Sequence, residues 1–137
     1  MSLFRAVAWD IDGTLIDSEP LHQRSLIAAS AAFGADLSDL EPDAFRGVHA
    51  IDIWNAVKPR FPAASLFDTW IGAIERYYAA HAGELEPTPG AIDARRALQA
   101  RGVAQACVSN SGRRIVDANI NALGIGKIIA SPRAFGV

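Results

Sequence analysis

A single cysteine, Cys107, stands among 137 residues, so the chain builds no disulfide framework and no thiolate cluster for zinc, and a reducing, cytoplasmic setting is expected. Lysine is nearly as scarce: Lys58 and Lys127 are the only two among 13 basic residues. That leaves few compact point charges of the kind often set against phosphate. No apolar run approaches the roughly eighteen residues of a membrane span, and the N-terminus lacks the basic, apolar and small-residue layout of a signal peptide. Neither sign of charge is in excess, with 15 acidic residues against the 13 basic ones and a net charge of -2. A polyanion-binding surface is therefore not announced, and neither nucleic acid nor a membrane is an expected partner. Internal repeats and low-complexity tracts are missing too, apart from an alanine-rich first helix.

Half of the residues are apolar, enough at this length for one core with a small appendage and too few for two full domains. From about Leu3 to Trp9 the chain is apolar except for Arg5, short, and followed by a Gly turn, which predicts a buried strand. From about Pro20 to His81 the pattern is helical. Leu21, Ser25, Ala28, Ala29 and Ala32 recur at three- and four-residue steps up to Phe33 and Gly34. A second helix is expected from about His49 to Val57, closed by Pro59 and Pro62, and a third from about Ala64 to Ala80. After the break 86-EPTPG-90, a helix from about Ala91 to Arg101 leads through Gly102 into 103-VAQACVS-109, read as a second buried strand. Ser109-Asn110-Ser111-Gly112 turns into a helix marked by Ile115, Val116, Ile120 and Leu123 and stopped by Gly124, and Lys127 to Ala130 reads as one more strand. Strand, helical excursion, helix, strand, helix, strand is the order of an α/β fold on a parallel sheet with crossovers.

The stretch 10-DIDGTLID-17 sets three carboxylates within eight residues, directly behind the first strand. Side chains at i and i+2 of a strand share a side. Asp10 and Asp12 are thus expected to project together beyond its carboxyl end, where open α/β sheets bind ligands, with Gly13 making the turn. Two like charges at about 4 Å repel by roughly 4 kcal/mol at an effective dielectric of 20, so such a pair shares a proton or collects a cation. An ordinary Asp-Gly turn is the plain alternative. A calcium loop is excluded, because Leu21 stands where its closing Glu belongs.

These residues carry a resemblance. The run 10-DIDGTLIDSE-19 behind an apolar strand resembles the first motif of the haloacid dehalogenase-like hydrolases. The stretches 86-EPTPG-90 and 107-CVSNSG-112 resemble the second half of their subgroup with a helical cap inserted after that motif, the phosphoglycolate-phosphatase and β-phosphoglucomutase types. The resemblance implies a Rossmann-like parallel sheet core, incomplete at the C-terminus and made of residues 1–17 and 84–137, with an α-helical cap over 18–83. It implies Asp10 as the nucleophile that forms an aspartyl phosphate, and Asp12 as the general acid that protonates the leaving oxygen and then the base for the hydrolytic water. It also implies Mg²⁺, held by Asp10 and by the backbone carbonyl of Asp12, because an anionic carboxylate meets an anionic phosphate only where positive charge offsets their repulsion. The second aspartate favours phosphoryl transfer over dehalogenation. The implied substrate is a small phosphorylated metabolite, hydrolysed as a monoester or, alternatively within the class, rearranged by a sugar phosphomutase. Thr14 is expected to orient the Asp12 carboxyl at the substrate site, with a turn hydroxyl as its other role.

By the same resemblance Ser109 is the phosphate-binding residue of the second motif and Asn110 a nearby donor, where hydroxyl and backbone N–H groups open a helix; plain helix capping is the alternative. In the inserted segment, 45-FRGVHA-50 stands where such caps present a loop to the site, so Arg46 is a candidate for an anionic part of the substrate, while His49 reads better as solvated surface. Lys58, next to Pro59, reads as an exposed helix end rather than a Schiff-base lysine, and Trp54, Trp70, Tyr77 and Tyr78 read as cap core.

The chain departs from the family's pattern after its third strand. The family places a lysine and an acidic pair there, whereas this sequence runs 130-ASPRAFGV-137, and Lys127 comes too early. Two strands with their helices are absent as well, which leaves an unpaired edge and an uncovered apolar face. Two readings follow. One is most of a magnesium-dependent phosphatase or mutase, cut short and weak in this form. The other is a non-catalytic module stabilised by self-association through the unpaired sheet edge, a homo-oligomer.

Overall fold

The computed structural model describes residues 5–125 and 129–130. The elements run β1 (Ala6–Asp10), β2 (Ile16–Asp17), α1 (Glu19–Ala32), α2 (Ala50–Val57), α3 (Phe67–Ala80), β3 (Glu86–Pro87), α4 (Ala91–Ala100), β4 (Ala104–Val108), α5 (Arg113–Leu123) and β5 (Ile129–Ala130), with short 3-10 turns at Lys58–Arg60 and Ala82–Glu84. The chain divides into two compact units, one of Met1–Ser18 with Ala82–Val137 and one of Glu19–His81.

In the first unit β1, β4 and β5 form a parallel sheet in the order β1-β4-β5. Ala6 pairs with Ala104 and Asp10 with Val108, so both strands end at the same edge and deliver Asp10 and Ser109 side by side there. The helices α4 and α5 lie between successive strands in the chain, as parallel neighbours require. The segment 86-EPTPG-90, expected only as a break, also supplies β3, whose Glu86 and Pro87 pair antiparallel with Asp17 and Ile16 of β2. Thr88 N–H continues that contact to Leu15 O at 2.9 Å.

The two strands expected to be buried are not. Ala6, Ala8 and Asp10 of β1 are exposed with Val7 and Trp9 half-buried, and in β4 Cys107 alone is buried. Apolar strands become continuous core only when both faces are covered, and here the face that carries Ala6 and Ala8 is open among the described residues. The other face is tied down by polar contacts: Trp9 Nε1 donates to Gln105 Oε1 at 2.8 Å, and Gln105 Nε2 donates to the Arg95 carbonyl of α4 at 3.0 Å. Burial pushes the Cys107 thiol pKa up. On α5, Ile115, Val116 and Leu123 are buried, and Gly124 ends the helix in the left-handed conformation (φ +63°) that glycine adopts without strain.

The second unit has its own core of Leu26, Ala29, Ala35, Leu37, Trp54, Val57, Phe61, Trp70 and Ile74. Trp54 lies 5.0 Å from Phe61 and 5.1 Å from Trp70, ring centre to ring centre. Three α-helices form there, and the stretch between α1 and α2 runs through turns. Arg60 holds that stretch, bonding the Asp36 carbonyl at 3.1 Å and both oxygens of Asp39, Nη2 to Oδ2 at 3.0 Å, and its guanidinium keeps the Asp39 carboxyl below the usual carboxylate range. The third helix begins at Phe67 rather than near Ala64, because a turn closed from Ser65 N–H to Pro62 O at 2.9 Å comes first and Leu66 stays extended. Tyr78 is buried as expected of cap core, whereas Tyr77 is half-buried and stacks on His81 at 3.9 Å. No helix among the described residues is long and apolar enough to cross a membrane.

Ser30 is fully buried and accepts the indole hydrogen of Trp70 at 2.9 Å. Ser30→Ala leaves that buried donor without a partner, so we expect a loss of about 1–3 kcal/mol in urea unfolding followed by circular dichroism. An alanine at exposed Ser38 serves as a comparison for hydroxyl loss at the surface.

Candidate active site

The chain leaves β1 at Asp10 and coils tightly around one carbonyl. Ile11 O accepts the N–H groups of Thr14 (3.1 Å), Leu15 (2.9 Å) and Ile16 (3.3 Å), and Gly13 N–H returns to Ile16 O at 2.9 Å. Gly13 has φ +73°, which a side chain would strain even though nothing lies within 4 Å of where a Cβ would stand. Ile11, Leu15 and Ile16 are buried and anchor the coil, leaving the polar residues between them to face outward or toward the end of β4.

The two aspartates are held in different ways. Asp10 is exposed; its Oδ2 accepts from Thr14 Oγ1 at 3.0 Å, and its other oxygen carries no hydrogen bond among the described residues. Asp12 is half-buried. Its Oδ1 accepts from Ser18 Oγ at 2.9 Å and Asn119 Nδ2 at 3.0 Å, and its Oδ2 from Ser111 Oγ at 2.9 Å and more distantly from Ser109 Oγ at 3.5 Å. Hydrogen bonds to a carboxylate are stronger than neutral ones, and four of them from three stretches of chain fix its rotamer.

This arrangement corrects the expectation for Thr14, which steadies Asp10 and not Asp12, because the coil around Ile11 O turns its hydroxyl back toward the strand end. Ser109 reaches Asp12 and accepts Ser111 N–H at 3.0 Å, closing a serine turn before α5. The helix cap itself falls at Gly112 without a side-chain bond, so neither Ser109 nor Asn110 caps α5. Asn110 is exposed at that turn. Asp10, Asp12, Thr14 and Ser109 therefore meet at one end of the sheet. Arg46 belongs to the other unit, where its guanidinium pairs with Asp43 Oδ1 at 2.9 Å and stays exposed, as do His49 and Lys58. Lys127 lies outside the described residues.

Sequence reasoning missed Ser18 and Asn119 altogether and placed Ser111 at the opening of the helix without pairing it with Asp12. For Asn119 a signal existed. It sits four residues after Ile115 and three after Val116, inside the buried stripe of α5, and a fully buried amide in such a stripe needs a partner.

Among the described residues no three His, Cys, Asp or Glu side chains gather as a metal cluster. The exposed Asp10 carboxylate nonetheless suits magnesium, a hard cation that takes one or two protein carboxylates and fills the rest of its shell with water and substrate oxygens.

The carboxyl edge of the parallel sheet thus carries two aspartates with a serine turn facing them. The sequence profile described as haloacid dehalogenase-like hydrolase matches residues 4–134, and the chain belongs to that family. Among solved structures, CbbY from Rhodobacter sphaeroides in complex with phosphate is 23% identical with a TM-score of 0.76, over 88% of this chain and 57% of that one. A protein described as a predicted phosphoglycolate phosphatase from Haemophilus somnus is 20% identical with a TM-score of 0.77, over 91% and 60%. A HAD hydrolase of family IA, variant 3, from Entamoeba histolytica is 21% identical with a TM-score of 0.77, over 98% and 64%. The chain thus spans less than two thirds of the length of each of these structures. No curated protein matches it.

The unequal holding of the aspartates has a measurable consequence. Asp12→Ala strips the acceptor from buried Ser18 and Asn119, and a loss of about 1–3 kcal/mol in unfolding free energy is expected. Asp10→Asn, at an exposed position with one hydrogen bond, stays within about 0.5 kcal/mol of wild type.

Proposed function

We propose that this chain carries the nucleophile and the acid–base carboxylate of a magnesium-dependent phosphoryl transfer, with hydrolysis of a small phosphate monoester as the overall reaction. The contrast between the two aspartates supports this reading: Asp10 keeps one oxygen outside any hydrogen bond among the described residues, and Asp12 stands two residues on, held in one orientation. Asp10 Oδ1 bonds to phosphorus while the bond from phosphorus to the leaving oxygen breaks, and Asp12 delivers its proton to that oxygen. Asp12 then takes a proton from water as the water oxygen attacks the aspartyl phosphate; the bond from phosphorus to Oδ1 breaks, inorganic phosphate leaves and Asp10 is regenerated.

The side chains around Asp12 suit both halves of the cycle. The hydroxyls of Ser18, Ser109 and Ser111 donate to an ionised Asp12 and, after rotation, accept from a protonated one. Ser109 and Asn110 offer donors to phosphate oxygens at the start of α5. The Asp10 carboxylate and the Asp12 backbone carbonyl would hold magnesium, which would supply the positive charge that lets an anionic nucleophile meet an anionic phosphate. In this reading the helical unit Glu19–His81 serves as a cap, and Arg46 meets an anionic part of the substrate. The phosphate found with the Rhodobacter sphaeroides protein agrees with a phosphorylated substrate here. Phosphomutase chemistry differs only in the acceptor, a sugar hydroxyl in place of water.

A second reading, a non-catalytic module stabilised by pairing of two copies, draws on the outer edge of β1: within the described residues that strand bonds to β4 alone, and Ala6 and Ala8 are exposed beside it. Hydrolysis of p-nitrophenyl phosphate separates the two. The catalytic reading expects magnesium-dependent turnover that chelation removes and added magnesium restores, and that Asp10→Asn lowers by roughly a thousandfold or more. No turnover in the wild-type chain, together with a dimer in sedimentation, supports the module instead.

A further inference from the structure

Asn119 has no part in the reaction as written above, yet it is fully buried on the core face of α5 and gives its Nδ2 hydrogen to Asp12 Oδ1 at 3.0 Å. It differs in kind from the other three partners. A serine hydroxyl turns from donor to acceptor by rotating about one bond, whereas an amide nitrogen only donates. An oxygen that faces Nδ2 therefore stays an acceptor through the whole cycle, and a proton on Asp12 is directed to the other oxygen. That oxygen, Oδ2, faces Ser111 Oγ at 2.9 Å and Ser109 Oγ at 3.5 Å, beside the turn where β4 ends in register with Asp10.

We infer that Asn119 is a positioning residue for proton transfer: from α5 it reserves Oδ1 of Asp12 as an acceptor, so that the transferable proton rides on Oδ2, the oxygen at the Ser109–Ser111 turn. Ser18, also fully buried, bonds the same Oδ1 at 2.9 Å, while the two serines of the turn meet Oδ2. The inference rests on the acid–base role proposed for Asp12 and adds the device that orients it. The amide holds the carboxylate from behind and touches no reacting atom.

General-acid help matters when the leaving group is a poor one and little when it leaves readily as a phenolate, and this difference tests the inference. The quantity to compare is kcat/KM, which reports the steps through phosphoryl transfer to Asp10, for glycerol phosphate and for p-nitrophenyl phosphate with magnesium present. Asn119→Leu keeps the branching of the side chain and removes the donor. The expected result is a loss of roughly tenfold or more on the alkyl ester with less than about threefold on the aryl ester, and little further loss when the substitution is added to Asp12→Asn. Asn119→Ser, whose shorter side chain falls short of Oδ1, carries the same expectation and serves if the leucine variant fails to fold, as read by circular dichroism. Equal losses on both esters in an otherwise active enzyme give Asn119 a merely structural role and overturn the inference alone. A wild-type chain that turns over neither ester overturns the phosphoryl-transfer reading, and the assignment of Asn119 falls with it.

Discussion

The first unit is organised around one carboxylate. Asp12 accepts from Ser18 a few residues on, from Ser111 and Ser109 past the end of β4, and from Asn119 on α5, so three stretches of chain converge on one side chain. Two of those donors are fully buried, where a polar group without a partner is costly, and a half-buried charge without donors is costlier still. Each side of the arrangement therefore needs the other. The coil after β1 supplies the acceptor, the sheet edge and α5 supply the donors, and Asp10 is carried at the rim with its own small support from Thr14.

The helical unit rests on a different physics. Its core is aromatic and aliphatic, with Trp54, Phe61 and Trp70 packed ring against ring, and within it the buried indole of Trp70 donates to Ser30. Non-directional burial tolerates irregular chain, and the turns between α1 and α2 are accordingly secured by backbone bonds and by Arg60 rather than by a further helix.

Much of this was legible beforehand, and the failures have physical reasons. Helix-period patterns located α1, α2, α4 and α5 to within a residue or two, because an apolar stripe is a local property. Burial of β1 and β4 was overestimated because apolar composition does not say whether a second layer covers a face. The two-residue strands β2 and β3 are too short to carry any periodicity. At the site, Asp10 and Asp12 stood out through residue type and spacing. The partner of Thr14 did not, since the direction of a hydroxyl depends on three N–H groups sharing one carbonyl. Asn119 lies more than a hundred residues from Asp12, a separation that only the parallel register of β1 and β4 brings together.

The tryptophans are divided between the two units. Trp9 sits in β1 next to Asp10, half-buried and hydrogen-bonded to Gln105, while Trp54 and Trp70 lie deep in the helical core. An indole with polar company emits to the red of one in a dry interior, so intrinsic fluorescence carries two optical channels that belong to different parts of the molecule. Replacing Trp9 by phenylalanine silences one channel, leaving the light of the helical unit alone, and subtraction of the two signals isolates the strand that bears the nucleophile.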